Sequence, residues 1–196
     1  MGPPTTRRLV RLAAVSLVLA IVFGSGLVVQ LRQHASAAQA QTGDLSRAQV
    51  ILDWAAARYR ADNAATAALF AENTFYITAA AVGCTTQTPC YDRASVLQSL
   101  PSLEVALKGH ACLKVTTIQV RGSIVTGTFE GRNDGLRAEG IERTMAAFMA
   151  EVQDGQIIFF VHHYDTADPE TALSIAIAAG TAQPGTPIPT PDSLCG

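Results

Sequence analysis

The sequence carries no G-x-S-x-G elbow, no phosphate-binding glycine loop and no dinucleotide fingerprint, which removes the common hydrolase and nucleotide-enzyme readings. It has no C-x-x-C or C-x-x-H spacing, so a zinc site is disfavoured and no metal is expected. Negative charge is missing from the first 43 residues, where none of the 16 Asp+Glu falls, while four of the 14 Lys+Arg do (Arg7, Arg8, Arg11 and Arg32). Beyond Arg32 the chain is therefore acidic, with a net charge of −6 and no Lys/Arg cluster. Such a surface offers no counterion-release term for nucleic acid, which is excluded as a partner class. No internal repeat is visible, and no cofactor motif was found.

What is present begins with Leu12 to Leu31, a 20-residue run without a charged side chain, preceded by three arginines. It is long enough to span a bilayer core of about 30 Å, and the arginines favour a cytoplasmic N-terminus. Residues 1–40 are thus expected to be a membrane anchor or a removed signal peptide. The length argues for the anchor; Gly24, Gly26 and the small-x-small triplet Ala35-Ser36-Ala37 argue for cleavage. No cysteine sits near the end of the run, which speaks against a lipoprotein. Either way the rest of the chain is expected outside the cytoplasm, membrane-anchored or secreted.

The four cysteines, Cys84, Cys90, Cys112 and Cys195, all fall in that exported part, where disulfides persist. The pairing expected first is Cys84–Cys90, closing the surface loop Thr-Thr-Gln-Thr-Pro, which leaves Cys112 with Cys195.

Helices come first and strands afterwards. Asp44 or Ser46 can cap a helix to about Arg60 whose Val50, Ile51, Trp54 and Ala55 build one apolar face. Asn63 is a second N-cap candidate for a short helix over 64–71, followed by a strand at 74–78. Asp92 can cap a third helix over 93–100, ended or interrupted by Pro101. Lys114–Val120 and Ile124–Phe129 then flank a turn, and Arg143–Gln153 and Gln156–Tyr164 flank Asp154-Gly155, a strong hairpin signal. Arg132 to Arg137 joins the hairpins as a loop. The class is α+β.

Several of these segments resemble the SnoaL-like branch of the nuclear transport factor 2-like superfamily: the first helix ending near Ala61-Asp62, Ala68-Leu-Phe-Ala-Glu72 before a strand, Tyr91-Asp-Arg-Ala-Ser-Val96 opening a helix, the closing segment Phe148 to Ile157, and Asp168-Pro169. The resemblance covers about Ser46 to Pro169. It implies a cone of about three N-terminal helices packed on a curved antiparallel β-sheet with a pocket between, hence a SnoaL-like domain at 44–170 and a C-terminal helix and Pro/Thr-rich tail at 171–196, the tail expected to be disordered. Family members include polyketide cyclases, ketosteroid isomerases, dehydratases and non-catalytic binding or dimerisation domains, so fold fixes little about activity. The isomerase's own residues are not carried over. Its base matches about Thr78, and its oxyanion donors match Trp54 and Ala146 or Ala147.

The remaining candidate chemistry is Val161-His-His-Tyr-Asp165. His162 and His163 point to opposite faces of a regular strand and cannot share one metal. His163 and Asp165 share a face with Ile157, Phe159 and Val161, and an Asp beside a His can raise its basicity; as an alternative, His163 lies at the rim of an apolar face and Asp165 caps a turn. Tyr164 and His162 lie opposite with Ile158 and Phe160, so both faces need covering, one by the pocket and the other by a homodimer partner or by Thr171 to Ala179. Pocket candidates are Trp54, Tyr59, Tyr76, Arg143, Met145 and Phe159, with Arg143 able to anchor an anionic group or to pair with a carboxylate at the sheet edge. The reading is an exported or membrane-anchored domain binding a small, partly apolar molecule in its cone. The alternatives are a lyase, cyclase or isomerase using His163 and Asp165, and a homodimerising module.

Overall fold

The computed structural model describes residues 43–79, 83–107 and 111–189. The apolar run Leu12–Leu31 and Cys195 lie outside these. Among the described residues no helix is long and apolar enough to cross a membrane.

Helix α1 occupies residues 43–59. Asp44 and Ser46, expected as caps, are already helical, and Asp44 accepts from Arg47 instead (3.5 Å). The apolar face is as expected: Val50, Ile51, Trp54 and Ala55 are all buried. Helix α2 (Asn63–Ala68) is capped by Asp62, whose carboxylate accepts from Ala65 N at 2.9 Å, so Asn63 is the first helical residue and not the cap. Strand β1 (Phe70–Ile77) starts four residues earlier than its β-formers suggest. Asp92 does cap α3 (Arg93–Leu107), accepting from Ser95 N at 2.6 Å. Pro101 sits inside this helix and does not end it. The proline is exposed, as is Leu97 one turn before it, so the missing N–H falls on the solvent side of the helix.

The two hairpins follow as read: β2 (Ala111–Arg121) with β3 (Ile124–Asn133), both longer than expected, and β4 (Thr144–Gln153), one residue shorter, with β5 (Gln156–Tyr164) at its expected bounds. Asp154 and Gly155 both adopt positive φ (49° and 75°), the pair of left-handed residues this turn needs. Between the hairpins a one-turn helix, α4 (Asp134–Ala138), is capped by Asn133 where a loop was expected. Helix α5 (Pro169–Ala178) is capped by Asp168 and meets β4 where the Thr171 hydroxyl accepts from Met145 N (2.8 Å). The chain after Gly180 does not lie free as far as it is described. Gly185 N donates to Glu139 O and Ile188 N to Arg137 O (both 2.8 Å), while the buried Arg137 guanidinium donates to Pro189 O.

The sheet is mixed, not antiparallel, with order β1-β5-β4-β3-β2. β1 runs parallel to β5, pairing Phe75 with Phe159 and Ile77 with Val161. Helices α2 and α3 flank β1 in sequence, so the strand enters from the helical layer and joins the far edge of the meander. Register shifts interrupt β1/β5, β2/β3 and β4/β5. Extra residues of this kind bend the strands that carry them, and the sheet curls around α1. Its concave face and α1 form one apolar core in which Trp54 packs on Phe160 (ring centroids 4.6 Å) and Phe148 stacks on Phe160 (5.8 Å). Cys84 and Cys90 are disulfide-bonded as expected, beside a bridge between Tyr76 and Cys90. Cys112 is also in a disulfide; the partner expected for it, Cys195, is outside the described residues.

Candidate functional site

A cavity of about 90 Å³ opens between α1 and the concave sheet face. Helix α1 contributes Trp54 and Arg58, β1 and its end Tyr76 and Thr78, β3 Phe129 and Gly131, and β5 His162 and Tyr164. Residues 111–113 and 132–133 form its other rim. The lining is aromatic and polar but contains no Asp or Glu.

Which β5 side chains reach this cavity is decided by one residue. From the Asp154-Gly155 turn the register begins Gln153 to Gln156 and Val152 to Ile157, then slips, so that Glu151 faces Phe159 and Ile158 is extra. From there Phe148 pairs with His162 and Ala146 with Tyr164. Phe148, Ala146 and Ala150 are buried on the concave face, and their partners Phe160, His162 and Tyr164 point the same way. A one-residue slip exchanges every side chain beyond it between faces. Ile157, before the slip, therefore shares the core with Phe160 and not with Phe159 and His163.

His162 is the polar centre of the cone. Its Nε2 and the Thr78 hydroxyl are 2.8 Å apart, while its Nδ1 is enclosed and lacks a partner. Burial, with a smaller contribution from neighbouring His163, pushes its pKa down to about 3, so the imidazole is neutral at physiological pH. The Nε1–H of Trp54 is the second enclosed polar atom without a partner. Burial raises the hydroxyl pKa of Tyr164 and that of Tyr76, the latter against the opposing pull of Arg58, so both phenols stay protonated. The site thus presents neutral hydrogen-bonding groups and two arginines, Arg58 and the carboxylate-paired Arg132, among aromatic side chains. A ligand that lacks matching polar atoms would leave Trp54 Nε1 and His162 Nδ1 unpaired, and native interiors rarely leave such atoms unmatched.

The residues expected from sequence are dispersed, some in the cone, some in a second hollow and three in neither. Trp54 and Tyr76 line the cone. His163, Asp165 and Met145 lie at an open hollow on the convex side with Thr128, Ala147 and Thr166. There His163 is exposed, and Asp165 accepts from Ala167 N (3.0 Å), the turn-capping role given as the alternative. Phe159 stacks on Phe75 (5.5 Å), and Tyr59 is 46% exposed. Arg143 pairs with Asp168 (3.2 Å) at the sheet edge, with Glu130 at 3.9 Å. His162, Thr78 and Arg58 were not named as pocket residues. The signal that could have found His162 is the unbroken apolar alternation of β4, once the slip in β5 is allowed for. Among the described residues no cluster of three or more His, Cys, Asp or Glu could hold a metal.

No family model and no curated protein matches the chain. Solved structures do. TerC co-crystallised with polyporic acid is 15% identical over 62% of this chain and 93% of its own, with a TM-score of 0.52. Bal32a from a soil-derived mobile gene cassette is also 15% identical, over 62% and 90%, at 0.51. A Catenulispora acidiphila protein with a ketosteroid isomerase-like fold, solved with trimethylamine, is 16% identical over 70% and 93%, at 0.50. At such identities the likeness speaks for architecture alone, and that architecture, a helix-capped cone on a curved mixed sheet, is the nuclear transport factor 2-like fold.

Proposed function

We propose that this is a ligand-binding domain, exported or membrane-anchored, that holds a small, partly apolar molecule in the cone. The observation that carries the reading is that two residues lining the cavity, Trp54 and His162, each hold an enclosed polar atom without a partner, Nε1 and Nδ1. Apolar walls with a few convergent polar groups are the usual make-up of small-molecule sites. That TerC and the Catenulispora protein were solved with small molecules is in keeping with it. A catalytic role for the cone is less well supported. An imidazole with a pKa near 3 is a weak base, and no carboxylate is present in the lining to replace it. His163 and Asp165 remain the alternative for catalysis, on the convex side.

Trp54 is the only tryptophan in the chain, so its fluorescence reports on the cone alone. Titration with small aromatic and alicyclic compounds is expected to give a saturable change with a rise in Tm. Gly131→Leu, which places a side chain in the lining, is expected to abolish both while the protein stays folded. Saturable binding that survives Gly131→Leu would put the ligand elsewhere.

A further inference from the structure

Arg58 follows Trp54 by one helical turn on α1, lines the cone and is only 5% exposed. Its Nη1 donates to Asn63 Oδ1 at 3.2 Å, a neutral acceptor. Among the described residues the other buried or half-buried arginines each meet a carboxylate. Arg47 has Asp44, Arg93 has Glu72, Arg132 has Glu130 and Glu142, Arg137 has Glu142, and Arg143 has Asp168. Arg58 has none.

A guanidinium removed from water is strongly unfavourable unless an anion or several acceptors replace its hydration. The lining provides no anion, since it contains no Asp or Glu. Trp54, one turn earlier on α1, offers only an N–H donor and so cannot serve Arg58. A favourable cation at the C-terminal end of α1 would account for a basic residue there. It would not account for burying the side chain against a cavity.

We infer that the molecule held in the cone is a small carboxylate, its anionic head on Arg58 and its hydrocarbon body against Phe129, Leu113 and Tyr76. This rests on the ligand-binding reading above and names the class of ligand. The planar guanidinium fork matches a carboxylate and would discriminate against the isosteric amide, which offers one acceptor and no charge.

The test uses the full-length chain in mild detergent and fluorine NMR line broadening with 4-fluorobenzoate, 4-fluorobenzamide and 4-fluorotoluene. The benzoate is expected to bind at least tenfold more tightly than the benzamide. Arg58→Gln is expected to bring the two within about threefold of each other without weakening the benzamide, and Arg58→Lys to keep part of the preference. If Arg58 served only to fix the end of α1, either variant would lower Tm and leave the ratio of the two affinities unchanged, which would overturn the inference. Equal binding of benzoate and benzamide to the unaltered chain, or binding of fluorotoluene alone, would overturn it while leaving a cone that binds neutral molecules. Binding of none of the three would count against both readings.

Discussion

His162 shows how one side chain can make the domain sensitive to acid. Its ring is packed against Phe129 (5.1 Å between centroids) with Nε2 at Thr78, and its folded pKa is about 3 against an ordinary 6.5. Between those two values the unfolded chain carries a proton on this imidazole that the folded chain does not. Stability therefore falls as the pH drops from 6.5 towards 3, by at most about 1.4 kcal/mol per pH unit from this group. His162→Gln keeps a hydrogen-bonding group near Thr78 but cannot titrate. Urea unfolding at pH 7 and pH 5 is expected to show the unaltered chain losing up to about 2 kcal/mol more than the variant over that interval. Equal losses in the two proteins would mean that the imidazole is solvated and titrates normally.

At the scale of elements, the parts legible in the sequence were those fixed by local chemistry. The α1 face was readable because Val50, Ile51, Trp54 and Ala55 recur at helical spacing; the β4–β5 turn because Asp-Gly tolerates positive φ; the start of α3 because Asp92 can accept from Ser95 N. What was not legible depends on contacts distant in sequence. The parallel pairing of β1 with β5 joins residues more than 80 positions apart, and the docking of Gly185 and Ile188 on Glu139 and Arg137 spans about 50. The extra residue at Ile158 has no local signature, yet it decides that His162 and not His163 enters the cone. Curvature has a similar origin. The slip between Val115 and Thr117 brings the Thr117 carbonyl over Gly127, where a Cβ would overlap that oxygen and lie 2.8 Å from the Phe148 ring. Only glycine lets β2, β3 and the ring approach so closely. Gly127→Ala is expected to destabilise the domain by roughly 2–3 kcal/mol through overpacking, read as a lowered urea midpoint. A change within about 0.5 kcal/mol would show that the sheet flattens there at little cost.

For the whole molecule, two independent features bear on the compartment. The uncharged run Leu12–Leu31 behind three arginines is the basis of the proposed export, and the domain beyond it contains the Cys84–Cys90 disulfide in the loop between β1 and α3. That loop is short, with a sequence separation of six, so the chain-entropy argument gives the bond only about 2 kcal/mol of stability. A contribution of this size is useful where the bond persists and absent in a reducing cytosol. The two features therefore make a joint prediction. In a bacterial host the full chain is expected to resist alkylation at Cys84 and Cys90 until it is reduced. The same domain made without residues 1–42 and kept in the cytoplasm is expected to be alkylated at both and to unfold more easily by about 2 kcal/mol. Mass spectrometry of the alkylated peptides separates the cases. Free thiols at both positions in the full chain would mean that the domain never leaves the reducing compartment, and the apolar run would then need another explanation.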